Sequence, residues 1–179
     1  LAHLFPETHR VLQETPANRG VIDQALANTD KRLAQGKTVT PAFIYAALLW
    51  PVKCDIEKGL SGIPTGDAYH QAKAEAISLQ VKHTAIPKRF SMPMREIWDL
   101  QNRLEQRSKK HIDRVLEHSR FRAAYDFLLL RANAGEVNQE LAQWWTVIQE
   151  CDEQEQEEMI NALKQTSQRK PRKRKPNYG

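Results

Sequence analysis

Only two cysteines occur in the 179 residues, Cys54 and Cys151, and neither belongs to a C-x-x-C pair or a Cys/His cluster. That excludes a disulfide scaffold and a zinc site, and it makes a reducing cytoplasm the default setting. Long apolar runs are equally scarce. The longest, Ala42 to Trp50, is far too short to span a bilayer, so no membrane segment is expected. Glycine numbers seven, and none forms a Gly-rich loop ahead of a helix. There is no D-x-D pair, no H-E-x-x-H and no serine in a G-x-S-x-G setting. Taken alone, the segment carries no catalytic constellation.

What is present is charge, unevenly placed. The net charge of +5 and a pI near 9.3 arise from one short stretch holding Arg169, Lys170, Arg172, Lys173, Arg174 and Lys175. Taking those six from the 27 basic residues leaves 21 against 22 acidic ones, so the remainder is close to neutral. With Pro171 and Pro176 and almost no apolar residues, this stretch reads as a disordered tail that attracts phosphate backbones. Upstream lie Glu150, Asp152, Glu153, Glu155, Glu157 and Glu158, with no histidine to complete a metal site. A solvated helical face is the expected role, with pairing to the basic tail as a further possibility.

A hydrophobic fraction of 40%, 27% charged residues and a mean hydropathy of -0.66 describe a folded, water-compatible chain long enough to bury a core. Its periodicity is helical nearly throughout. Ile22, Ala25, Leu26, Thr29 and Leu33 share a face that Gly36 closes. Thr40 and Pro41 open an apolar helix that Pro51 is expected to stop. An alanine-rich helix is predicted from about Asp67 to Lys82. Ser91 can cap a helix carrying Ile97, Trp98, Gln101 and Leu104, and a short one bearing Ile112, Val115 and Leu116 follows. Ser119 can cap the next, whose stripe runs from Phe121 to Ala132 and ends near Gly135; Asn138 then starts a helix with Leu141, Trp144, Trp145 and Ile148. No alternating strand is apparent. The expected fold is all-α, a bundle of short helices with a disordered basic C-terminal tail: residues 1–149 as body, 150–165 as acidic helix and 166–179 as tail.

The densest basic run of the body includes Lys88, Arg89, Arg95, Arg103, Arg107, Lys110, Arg114, Arg120 and Arg122. Helical spacing sets Arg103 over Arg107 and Lys110 over Arg114, a strip able to follow phosphates. About half of these cations are expected to pair instead with Glu96, Asp99, Glu105, Asp113 and Glu117. Lys88 and Arg89 have no acidic neighbour in sequence and are the hardest to explain that way. Trp98, Tyr125, Trp144 and Trp145 can stack on bases, although three lie on apolar stripes and one of the tryptophan pair is the better candidate for exposure. His111 and His118 read as ordinary surface or junction residues.

The strings I-P-K-R-F-S-M-P-M-R-E-I-W-D-L-Q-N-R-L and L-E-H-S-R-F-R-A-A-Y-D-F-L-L-L-R-A, followed by the W-W pair, resemble the C-terminal half of bacterial poly(A) polymerases. The opening L-A-H-L-F-P-E-T is similar to the start of the helical body in that family and in the related CCA-adding enzymes. Its apolar run Leu1, Leu4, Phe5 looks like the last turns of a helix, and with Leu1 in place of Met the chain reads as a fragment.

The resemblance implies a template-independent transferase that adds adenylates to RNA 3′ ends with ATP and magnesium, working in RNA processing. Its partners would be single-stranded RNA 3′ ends and RNA-decay proteins. The aspartates that hold the metal belong to an N-terminal head not contained here, so no cofactor is expected on this chain. RNA contacts are carried over to Lys88, Arg89, Arg95, Arg103, Arg120, Arg122 and Arg131. Ser119 stands where the family pattern would put proline. Two alternatives remain open, the C-terminal part of a CCA-adding tRNA nucleotidyltransferase and a non-enzymatic helical module that docks a protein.

Overall fold

The computed structural model describes residues 1–168, with side chains through Leu163; the basic stretch beginning at Arg169 lies outside the described residues. Among these there are nine α-helices and no strand. They are α1 (Pro6–Glu14), α2 (Gly20–Ala34), α3 (Pro41–Gly59), α4 (Thr65–Val81), α5 (Lys88–Gln106), α6 (Lys109–Leu116), α7 (Phe121–Asn133), α8 (Gln139–Ile148) and α9 (Glu153–Gln168), with a 3-10 turn at Pro16–Arg19 between the first two. The chain divides into two compact units, Leu1–Ala142 and a second beginning at Gln143.

In the first unit α3 is the hub, packing against α1, α2, α4, α5 and α7. Its sequence explains why: apolar residues surround it, and Ala42, Ala46, Leu49, Trp50 and Val52 are all buried. Pro51 does not stop this helix as expected; α3 continues to Gly59 with Pro51 inside it. An interior proline removes the hydrogen bond to the carbonyl four residues back and costs about 3 kcal/mol. Here the carbonyls on either side of that position receive donors from other helices. Trp98 Nε1 donates to Ala46 O at 3.2 Å and Thr8 Oγ1 to Leu48 O at 2.9 Å. Burial of Trp50 and Val52 offsets the remainder.

Proline misleads a second time in α5, which begins at Lys88 and not at Ser91, and which contains Pro93. Pro87 holds the N-cap position in an extended conformation, and its carbonyl accepts from Phe90 N at 2.8 Å and Ser91 N at 3.0 Å. Ser91 Oγ turns back toward Lys88 O, the usual habit of serine inside a helix. Ser119 likewise does not cap α7. Arg120 occupies that position, with its N–H donating to His118 Nδ1 at 3.0 Å. The αL glycines Gly36 and Gly135 end their helices as the sequence predicts, and Asn138 Oδ1 accepts from Glu140 N at 2.9 Å to open α8.

The α2 face is only half buried. Val21, Ile22 and Ala25 enter the core, whereas Leu26 and Leu33 are 45% and 59% exposed. At the chain start Leu1 to Leu4 make a single turn with both leucines exposed, and the helix proper begins at Pro6. Where α2 meets α7, a Cβ added to Gly20 would stand 2.9 Å from Ala134 Cβ. Alanine there would gain helix propensity but force two packed backbones apart. Gly20→Ala is therefore expected to destabilise the unit by about 1 kcal/mol, read as a lower urea midpoint.

In the second unit, α9 starts with a reciprocal cap: Glu155 N donates to Asp152 Oδ1 at 2.9 Å and Asp152 N to Glu155 Oε2 at 3.0 Å. Two of the acidic block's carboxylates thus hold a helix end, and the others described are exposed, as a solvated face requires. Trp145 is buried and Trp144 half-buried, their rings edge-to-face at 5.0 Å.

Candidate nucleic-acid interface

The basic residues singled out by sequence fall into three sets. Lys88, Arg89, Arg95, Arg103, Lys110 and Arg114 are exposed and have no carboxylate within 4 Å among the described residues. Lys88, Arg95 and Arg103 follow one solvent-facing stripe of α5, about 22 Å from end to end at 1.5 Å per residue. Arg107, Arg120 and Arg122 are tied down in ion pairs with Glu140 (2.8 Å), Glu96 (3.0 Å) and Asp126 (3.3 Å). Arg107 also ends α5 in the left-handed conformation, φ 42°, so it does not extend a strip above Arg103.

Arg131 forms a set of its own. It is 7% exposed, and its guanidinium pairs with Glu105 at 2.6 Å and Glu136 at 3.4 Å. It also donates to Gln101 Oε1 at 3.1 Å and lies over the Trp50 ring at 4.7 Å. The expectation of an RNA contact at Arg131 thus meets a guanidinium that faces inward, with each of its three nitrogens bound to a protein partner. The six tail cations, Arg169 to Lys175, lie outside the described residues.

Helix ends add a physical point. The first turns of α5, α6 and α7 contain no acidic residue. Lys88 and Arg89 stand in the first turn of α5, Lys109 and Lys110 in that of α6, and Arg120 and Arg122 at the start of α7. A helix N-terminus carries a partial positive charge, so a cation there opposes the dipole by roughly 0.3–1 kcal/mol. Three consecutive helices built this way leave backbone N–H groups and side-chain cations beside one another, the combination that binds phosphate.

A second basic feature was not foreseen from sequence. A cavity of about 560 Å³ opens between the C-terminal end of α2, the 35–40 loop, the start of α3, and the sides of α5 and α7. Lys31, Arg32 and Lys37 line it together with Arg120 and Arg122, against a single carboxylate, Asp126. Burial pushes the Asp126 carboxyl above its ordinary range, and Arg122 and Arg32 pull it back. Lys31 and Arg32 close α2, where cations suit the dipole, so in sequence they look like routine helix-end charges. Only the fold brings them to α7.

Among the described residues no three His, Cys, Asp or Glu side chains could hold a metal ion, and no helix is long and apolar enough to cross a membrane. Burial pushes the Cys54 thiol up to about 12, which makes it inert.

Comparison with known proteins gives these basic elements a context. The model of the family described as polymerase A arginine-rich C-terminus matches residues 61–178. The chain belongs to that family. It is 37% identical over 187 residues to poly(A) polymerase I of Escherichia coli O157:H7, covering 97% of this chain and 40% of that protein. The relation to poly(A) polymerase I of Salmonella typhi is 37% over 186 residues, with the same coverage. The Haemophilus influenzae protein of that name is 36% identical over 158 residues, covering 86% of this chain and 35% of its own length. The chain thus spans about 40% of the length of the curated relatives it matches, and corresponds to the C-terminal part of a bacterial poly(A) polymerase. Both the resemblance and the all-α fold expected from sequence hold.

Proposed function

We propose that this chain is the RNA-holding part of a polynucleotide adenylyltransferase acting on single-stranded RNA 3′ ends in a bacterial cytoplasm. A separate head would supply the metal-binding aspartates, magnesium and ATP. The observation that carries the reading is the set of cations at the starts of α5, α6 and α7, several of them exposed with no carboxylate partner. Such an arrangement costs helix stability unless an anion covers it. Side chains of this kind touch phosphates and not base edges, so the strip should hold RNA with little sequence preference. The relatives' shared name favours adenylate addition over CCA addition.

The test is the salt dependence of binding to a fluorescent single-stranded oligo(A). For single strands the slope of log K against log salt is roughly -0.7 per neutralised phosphate. Removing residues 169–179, if they make about four contacts, should flatten that slope by roughly three units. Arg95→Glu with Arg103→Glu should weaken binding further in the shortened chain. Failure of the whole chain to bind oligo(A) would sink the reading and favour a protein-docking role, for which the exposed Leu26 and Leu33 of α2 are the best surface.

A further inference from the structure

The cavity between α2, α3, α5 and α7 differs in kind from the exposed stripe of α5. Its floor is apolar, formed by Val39, Phe43, Pro93, Ile97 and Leu129. The Phe43 ring is braced edge-on against Phe127 at 5.8 Å. Its rim is cationic: five basic side chains line it with one carboxylate, Asp126, which Arg122 engages, while Arg120 is paired with Glu96 outside the cavity and Lys31, Arg32 and Lys37 remain. Arg32 donates to Thr38 O from Nε at 3.3 Å and from Nη2 at 3.1 Å, which holds the 35–40 loop in place as one wall. Lys31 and Lys37 have no carboxylate within 4 Å among the described residues. Thr40 and Arg120, at the N-cap positions of α3 and α7, make no side-chain cap, so two helix starts open toward the same space without a protein acceptor from their own cap residue.

An apolar floor under a cationic rim suits a ligand with a flat, uncharged face and an anion attached to it. A nucleotide has that division, and the volume lies in the range of small-ligand pockets. We propose that this cavity receives one unstacked nucleotide of the bound single-stranded RNA, its base against Phe43 and Leu129 and its phosphate at Lys31 and Lys37. The inference rests on the RNA-holding function above and adds to it a fixed point on an otherwise sliding contact. An extended cationic stripe tracks a backbone with little positional preference, whereas a pocket that swallows a base sets the register of the strand.

The experiment compares oligo(A) with an abasic strand of equal length on the whole chain, in three forms: unaltered, Lys31→Glu with Lys37→Glu, and Arg95→Glu with Arg103→Glu. Lys31 and Lys37 are exposed and outside the core, so the first variant should fold. The unaltered chain is expected to bind the abasic strand about tenfold more weakly, the effect of losing one stacked base. Lys31→Glu with Lys37→Glu should weaken oligo(A) about tenfold and largely erase the preference over the abasic strand. Equal affinity of the unaltered chain for both strands overturns the proposal. So does undiminished oligo(A) binding by Lys31→Glu with Lys37→Glu; if Arg95→Glu with Arg103→Glu is weakened at the same time, the RNA-holding function stands without the pocket. Protection of Lys31 and Lys37 from acetylation by AMP but not by oligo(A) would assign the cavity to a free nucleotide, and would overturn it too.

Discussion

Trp98→Ala is expected to lower the unfolding free energy of the first unit by about 4 kcal/mol, seen as a fall in urea midpoint with far-UV circular dichroism as the probe. The indole is fully buried, 6.1 Å from the Trp50 ring, amid Met94, Ile97 and Phe127. Truncation would leave a cavity that the surrounding rings cannot collapse to fill, and it would take away the donor that serves Ala46 O beside Pro51. Since domains of this size are stable by only about 5–15 kcal/mol, the variant would sit near the edge of folding at 37 °C. Trp98→Phe separates the two contributions. It keeps a ring and loses the N–H, and should cost about 1–2 kcal/mol. A loss under 1 kcal/mol for Trp98→Ala would show that Trp98 is not part of a packed core and would reopen base stacking as its role.

The second large effect is at Arg131. Arg131→Met preserves length and apolar stem but removes the cation shared by Glu105, Glu136 and Gln101. Breaking a buried ion pair from one side usually costs 3–5 kcal/mol, because the abandoned partner stays desolvated. Here both carboxylates reach solvent in part and can rehydrate, whereas Gln101 is fully buried. The expected loss is therefore at the low end, about 3 kcal/mol, in thermal or urea unfolding. RNA affinity of the folded fraction should be unchanged. A variant that stays as stable as the parent but binds oligo(A) more weakly would reverse this assignment and return Arg131 to the interface.

These two residues mark what could and could not be read from the chain itself. Trp98 sits on an apolar stripe, and helical periodicity alone places it in the core. Arg131 closes an equally apolar stripe in α7, yet its charge reads as surface; its partners Gln101 and Glu105 lie in another helix, beyond any local pattern. The same limit explains the prolines. Local rules end a helix at Pro51 and delay one past Pro87, and they are overruled by donors that come from α1 and α5 or by a carbonyl placed to start a turn. Caps made within a few residues, at Gly36, Gly135 and Asn138, are legible because nothing distant is needed to complete them. The basic strip was visible as composition, but its sorting into solvent-facing, paired and buried members depends on tertiary distance. Lys31 and Lys37 were invisible for that reason: their significance lies in Arg120 and Arg122, which are far away in sequence.

The central position of α3 also bears on where this molecule can be divided. Kinship to the arginine-rich family is traced from residue 61 onward, just past the end of α3. Yet Trp98 donates to Ala46, Gln80 reaches back to the carbonyl of Leu4, and Met94, Ile97 and Ile77 share one core with Val11, Leu49 and Val52. The point where the family match begins therefore lies inside a fold, although kinship to the poly(A) polymerases covers 97% of the chain, and a piece cut there would carry its own exposed half of a core. Within the first unit, the sequence on the two sides of residue 61 therefore has to be expressed and unfolded as one.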